Sequence, residues 1–204
     1  MKAIELEKAY DPKAFEDSIY KQWVEDGNFK PSTGKGKPFV IVMPPPNVTG
    51  ILHMGHALNN SLQDTLIRYY RMTGRPTLWI PGTDHAGIAT QNVMERRLQK
   101  EGLRRQDLGR EKFLERTWAL KEEHHDVIVG QLKKIGCSCD WDHERFTMDE
   151  GLSKAVRETF VTLYERGLVY KGLYLVNYCP HCGTALADDE VEHQEDVGHL
   201  YDIN

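Results

Sequence analysis

The chain has 204 residues, of which 40% are hydrophobic and 28% charged, with a formal net charge of −5. That is enough apolar material for one core with a small appendage, and too much for a disordered chain. No apolar run reaches the ~20 residues of a membrane helix, residues 1–13 lack the apolar centre of a secretory signal, and the acidic balance does not advertise a nucleic-acid binder.

Residues 11–29 read as a helix. Asp11-Pro12 opens it, and Phe15, Ile19 and Trp23 share one face. The following segment, Pro31 to Pro38, has glycines and lysines but not the spacing of a phosphate loop, so it reads as a surface turn. Phe39 to Met43 is a continuous apolar run, as expected of a buried central strand, and Pro44-Pro45-Pro46 stops it. Helical spacing resumes near His56 with Leu58, Leu62, Leu66, Tyr69 and Met72, and Gly74 ends it. Thr77 to Ile80 is a second short strand, closed by Pro81-Gly82, and a helix is expected from about Ala89 to Glu101. Strand, helix, strand, helix with apolar strands predicts a parallel α/β sheet, with ligands at the carboxyl ends of the strands. The loops Pro44 to His53 and Pro81 to Gly87 fall at those ends.

Beyond Leu108 two helical stripes follow, Phe113/Leu114-Trp118-Ile128-Leu132 and Leu152-Val156-Phe160-Leu163/Tyr164, both expected to face a core. Leu168 to Tyr178 reads as a hairpin around Lys171-Gly172. Charge is uneven. Between Glu95 and Lys121 nine Lys/Arg face five Asp/Glu, whereas Asp188 to Asp202 holds seven acidic residues and no basic one. A solvated surface explains both stretches, and RNA would favour the first.

The chemistry-bearing residues lie in the two loops. His53 and His56 bracket Gly55 in an H-x-G-H sequence at the start of a helix. Residues three apart can turn their rings to one side, and two imidazole N–H donors beside a helix N-terminus suit charge on a phosphoryl group. Gly55 would let a flat base or sugar approach the backbone. In the second loop, Pro81 to Gln91, Asp84 is a carboxylate near a phosphate-binding end, so a cation such as a substrate ammonium is its expected partner. The alternative is that Asp84 caps the next helix. Cys179-Pro180-His181-Cys182-Gly183 has the form of half a zinc ribbon, with His181, His193 and His199 the nearby candidates to complete four ligands. Cys137 and Cys139 read as ordinary buried thiols.

These residues resemble the signature region of class I aminoacyl-tRNA synthetases. The likeness runs from Pro44-Pro45-Pro46-Asn47-Val48-Thr49-Gly50 through His53 to His56 and the helix ending at Gly74. It continues through Pro81 to Gln91, Asp140-Trp141, Arg145 to Asp149 and Tyr164 to Tyr170. Within that class the two loops are similar to those of the valine-specific members. Isoleucine and leucine members show Gly-Trp-Asp where this chain has Gly82-Thr83-Asp84.

The resemblance implies a fold: the first half of a Rossmann-like parallel-sheet catalytic domain. Residues 1–35 would be a helical arm, 36–167 the half-domain, and 168–204 a hairpin and zinc-knuckle segment leading to an editing insertion. It implies ATP-dependent activation of L-valine and transfer to tRNA(Val), with Mg2+ accompanying ATP and Zn2+ at Cys179 and Cys182. His53 and His56 would bind the ATP phosphates, Gly55 would lie under the adenosine, Pro45 and Asn47 would border the aminoacyl pocket, and Asp84 would hold the α-ammonium. The complete protein would be a cytoplasmic monomer. An isoleucine or leucine enzyme, or a non-catalytic module that binds RNA or nucleotide, are the alternatives.

The family's Lys-Met-Ser-Lys-Ser signature does not occur in this sequence. The editing and anticodon-binding regions are also missing, so the chain is expected to be a fragment. A hydrophobic pocket rejects an isosteric hydroxyl only weakly, so accuracy against threonine would need the editing region. The last strand of this half would carry an unpaired edge.

Overall fold

The computed structural model describes residues 9–31 and 34–203. Part of the expected surface turn at Pro31 to Pro38, namely Ser32 and Thr33, and the start of the expected helical arm lie outside the described residues. The chain divides into two compact units, Met1–Val156 and Arg157–Asn204.

In the first unit, α1 (Pro12–Glu25) starts as the sequence predicts. Asp11 caps it by accepting the Lys13 N–H at 3.0 Å, and Pro12 occupies the first turn, where no N–H is missed. Its Phe15-Ile19-Trp23 face is not buried. The helix docks through Tyr20 instead: the hydroxyl donates to the Cys137 carbonyl at 2.7 Å and accepts from the Trp141 indole at 2.9 Å. Burial pushes that phenol well above its ordinary value.

β1 (Phe39–Val42) and β2 (Thr77–Ile80) pair in parallel, Phe39 opposite Thr77 through Val42 opposite Ile80. Beyond Pro81 the second strand continues as β3 (Gly82–Thr83), which pairs in parallel with β4 (Arg145–Phe146). The segment 77–84 therefore serves two neighbours. Carbonyls of Ile80 and Asp84 accept from Met43 and Val48, while those of Trp79, Pro81 and Thr83 accept from Asp140, Arg145 and Thr147. This segment, not β1, is central among the described residues. Among the described residues β1 has a single partner, and its Val40 and Val42 are 51% and 67% exposed. An unbroken apolar run reads alike whether one face or two is covered, which is why the expected buried central strand is half-exposed. Among the described residues the other edge of β1 is unpaired.

α2 (Met54–Met72) connects β1 to β2. Its buried positions are Asn60 and Ile67, and the Leu58-Leu62-Leu66-Tyr69-Met72 stripe is exposed. α3 (Gly87–Lys100) and α4 (Arg105–Lys134) follow, with α4 broken at Gly109. α4 organises both cores. Ile128 and Leu132 join Met43, Val48, Ile67, Trp79, Cys137 and Cys139 in one cluster; Leu120 joins Met94 and Leu98 in the other. The half of its predicted stripe at Leu114 and Trp118 stays exposed. Cys137 and Cys139 are buried free thiols, as expected. The Cys139 thiol is held far above its ordinary value, first by its hydrogen bond with Cys137 and then by burial.

α5 (Glu150–Glu165) fully buries none of its residues, which corrects its expected core stripe: Val156, Phe160 and Tyr164 are exposed, and Leu152 and Leu163 are half-buried. In the second unit, residues 168–176 form no strand. The hairpin lies further on, as β5 (Asn177–Cys179) and β6 (Thr184–Leu186), antiparallel around the Cys179–Cys182 turn. No described helix is long and apolar enough to cross a membrane.

Candidate active site at the carboxyl ends of the strands

The first loop, Pro44 to His53, is tied down at four places. The Asp84 N–H donates to Pro46 O at 2.8 Å and the Val48 N–H donates to Asp84 O at 2.9 Å, making a parallel bridge between Asn47 and Asp84. From α4, the His124 ring donates through Nδ1 to Val48 O at 2.8 Å, and Gln131 Oε1 accepts the Leu52 N–H at 2.8 Å. The carbonyl can only accept, so that His124 nitrogen carries the proton. Val48, sealed between them, is fully buried against Ile128. The bridge brings Asn47 and Asp84 side by side. Pro45 and Asn47 are exposed.

The histidines cap their own helix. The Gly55 N–H donates to His53 Nδ1 at 3.1 Å, the His53 N–H donates to His56 Nδ1 at 3.2 Å, and the ring centroids are 3.9 Å apart. Each Nδ1 accepts, so in the neutral rings each proton sits on Nε2. Burial, and secondarily the neighbouring His53, lowers the pKa of His56, which favours the uncharged imidazole. The structure also shows what lies over Gly55. A Cβ there would stand 2.9 Å from His53 Cε1, so the missing side chain makes room for the His53 ring itself.

The second loop is aimed from β4. Gly82 lets the two strands close, since a Cβ on it would meet Arg145 O at 2.7 Å. The Thr147 N–H donates to Thr83 O at 3.1 Å, and its hydroxyl donates to Asp84 Oδ1 at 2.9 Å. Oδ1 also accepts the Ala86 N–H at 3.3 Å. Ala86 reaches back by adopting φ 42° and ψ 51°, a left-handed conformation costing on the order of 1 kcal/mol for a residue with a Cβ. Ala86, not Asp84, occupies the cap position of α3, and no side chain caps that helix. This corrects the capping alternative for Asp84. Asp84 Oδ2 has no partner among the described residues. Beside this loop a cavity of about 190 Å3 is lined by His85, Thr90, Trp118, Phe146 and their neighbours.

Sequence reasoning singled out His53, Gly55, His56, Asn47 and Asp84 but missed Thr147, His124 and Gln131. Thr147 sits in a stretch, Arg145 to Asp149, that the resemblance already marked. His124 and Gln131 carry no sequence signal, because their partners are backbone groups more than 70 residues away.

Four arginines among the nine basic residues between Glu95 and Lys121 are paired with carboxylates close by. Arg97 pairs with Glu123 at 2.7 Å, Arg105 with Glu95 at 3.0 Å, Arg116 with Glu101 at 2.6 Å and Arg104 with Asp107 at 3.1 Å. At the cysteine turn the Cys182 N–H donates to Cys179 Sγ at 3.4 Å, and that bond leads the effects lowering the Cys179 pKa. Thiolate character there suits a metal. No group of three or more His, Cys, Asp or Glu converges among the described residues, so His181, His193 and His199 do not complete a site.

Parallel strands with polar loops gathered at their carboxyl ends define an α/β domain of the kind that binds ligands at that edge. A family model for class I tRNA synthetases (those for isoleucine, leucine, methionine and valine) matches residues 18–199, and the chain belongs to that family. It is 60% identical to the valine–tRNA ligase of Treponema denticola over its full length and 62% identical to that of Fusobacterium nucleatum over 98% of it. The chain spans 23% and 22% of the lengths of those relatives. Among solved structures it is similar to the LeuRS of Agrobacterium radiobacter in a ternary complex with tRNA and LeuAMS. The TM-score is 0.73 at 25% identity, covering 89% of this chain and 22% of that one.

Proposed function

We propose that this chain supplies one part of the active site for ATP-dependent activation of L-valine and its transfer to tRNA(Val). The observation that carries the proposal is the backbone bridge between Asn47 and Asp84, which couples the imidazole-bearing loop to a carboxylate with one free oxygen. In this reading Asp84 Oδ2 accepts the α-ammonium of valine, with Pro45 and Asn47 at the border of the amino-acid pocket. The Nε2–H groups of His53 and His56 donate to ATP phosphate oxygens, and the adenosine lies near Gly55. Mg2+ bound to ATP would screen the charge of its triphosphate. The valine carboxylate oxygen forms a bond to the α-phosphorus, the bond from that phosphorus to the β-phosphate bridging oxygen breaks, and pyrophosphate leaves. The chain's contribution is positioning and fixed N–H dipoles, which is what an in-line phosphoryl displacement needs.

Residues 1–35, 36–167 and 168–204 serve in this reading as helical arm, first half of a Rossmann-like catalytic domain, and connecting segment. Cys179 and Cys182 contribute two of the four ligands of a structural zinc site, and the protein works as a cytoplasmic monomer. Zinc retained through purification and lost in Cys182→Ser would support the metal assignment; a metal-free chain would contradict it.

The test is amino-acid-dependent ATP–pyrophosphate exchange with valine, isoleucine, leucine and threonine side by side. Exchange strongest with valine supports the proposal. Strongest exchange with leucine or isoleucine overturns the substrate, and no exchange with any of the four after the downstream half of the catalytic domain is supplied overturns the reaction.

A further inference from the structure

We infer that Thr147 is the positioning residue of the amine-binding carboxylate, and that its one hydroxyl proton fixes both the aim of Asp84 and the tautomer of His85. The inference rests on the assignment of Asp84 to the substrate ammonium.

The geometry around Thr147 Oγ1 leaves a single arrangement of protons. Three groups lie within hydrogen-bond reach: Asp84 Oδ1 at 2.9 Å, the His85 backbone nitrogen at 2.9 Å and His85 Nδ1 at 2.6 Å. A hydroxyl has one proton to donate and two lone pairs to accept with. The carboxylate has no proton, so the hydroxyl proton points to Asp84. The backbone N–H of His85 takes one lone pair. The other can only be met by a proton on His85 Nδ1, which places the neutral ring in its Nδ1–H form and leaves Nε2 with its lone pair outward. The backbone fixes where this happens, because the Thr147 N–H is held by Thr83 O in the β3–β4 ladder.

The consequence falls on Asp84. The Thr147 hydroxyl and the Ala86 N–H occupy Oδ1, with His85 Nδ1 also 3.3 Å away, so the carboxylate cannot rotate without breaking both hydrogen bonds together. Oδ2 is left as the acceptor for a substrate cation. Thr147 need not touch substrate to do this. It came from a different strand, and neither of its partners could orient the carboxylate alone: His85 Nδ1 without the hydroxyl would have both Asp84 and solvent to choose from.

The experiment compares the 204-residue chain with Thr147→Val and Thr147→Ser by two readouts. The first is 15N NMR of the His85 ring, which distinguishes the tautomers and needs no activity. Wild type is expected in the Nδ1–H form; Val is expected to release the ring toward Nε2–H, and Ser to restore it. The second is valine-dependent exchange. Val is expected to raise KM for valine about tenfold or more, the scale of one charge-assisted hydrogen bond, with kcat within about twofold, and Ser to recover KM. An Nε2–H ring in the wild-type chain would overturn the proton arrangement whatever the kinetics. An unchanged KM in Val, or kcat and KM damaged together in both variants, would overturn the positioning role. Should Val fail to fold, the wild-type ring and the Ser variant still decide. A wild-type chain that shows the Nδ1–H ring but no exchange with any amino acid would remove the function of Asp84 proposed above, and with it the role of Thr147 in amine binding, while the clamp itself would stand.

Discussion

The two loops at the strand ends are built on different plans. The histidine loop is held at a distance: α4 reaches across with His124 and Gln131 to grip the Val48 carbonyl and the Leu52 N–H, and each imidazole accepts a backbone N–H of the helix start through its Nδ1. The Asp84 loop is held from next door, by the β4 ladder and a threonine hydroxyl. The first plan fixes the backbone and leaves two rings at the surface with their Nε2–H groups outward. The second fixes one carboxylate oxygen and leaves the other free. The proposed roles would account for this difference: a polyanion offers many oxygens to meet several donors, whereas a small ammonium is met by one aimed acceptor.

The comparison breaks most severely at Gly82. Gly82→Ala puts a Cβ 2.7 Å from Arg145 O and should prise β4 from β3, lowering stability by about 2 kcal/mol or more. Urea unfolding reads this directly, and an unchanged midpoint would mean the strands are not closed as described. A smaller effect is expected at the other anchor. Gln131→Ala leaves the Leu52 N–H unpartnered, which should cost about 1 kcal/mol and reduce exchange severalfold through kcat. A rise in KM for valine alone would show that α4 serves the wrong loop.

Gly55→Ala sharpens the contrast further, since two effects of opposite sign meet. Alanine gains about 1 kcal/mol over glycine in a helix, while its Cβ displaces the His53 ring from its cap and loses about as much. Stability should hardly change while exchange falls, so a melting temperature unchanged alongside intact exchange would refute the ring's placement. The mildest effect is a pH dependence. The folded pKa of His56 lies below its ordinary value, so its neutral form is the one the fold stabilises. That contribution is present above the ordinary histidine value and is lost as pH falls through the folded one. Protonation also removes the Nδ1 lone pair that accepts the His53 N–H. Melting temperature and exchange should therefore decline together on acidification, and His56→Gln should flatten both profiles.

Local chemistry made much of this legible. Asp11-Pro12 and Gly74 mark helix ends because caps are written in adjacent residues, and the proline-terminated strands placed both loops at the correct edge. What was not legible depends on partners distant in the chain. Periodicity located α2 and α5 but could not say which stripe meets the core: on α2 the core receives Asn60 and Ile67 while five larger apolar residues face outward. Apolar β1 gave no sign that only one of its faces is covered. The grips of His124, Gln131 and Thr147 on the loops join segments 63 to 79 residues apart, and a single sequence carries no record of such pairs.

The central claim is that one loop serves the phosphates and the other the ammonium. Exchange kinetics of His56→Ala and Asp84→Asn, measured side by side with the parent chain, test it most directly. The account predicts a loss in kcat on the order of 10² or more for His56→Ala with KM for valine little changed. For Asp84→Asn it predicts KM for valine raised by about 10², with the KM for ATP unaltered. If both variants lose kcat alone, or if Asp84→Asn leaves KM for valine as it was, the division between the loops is wrong.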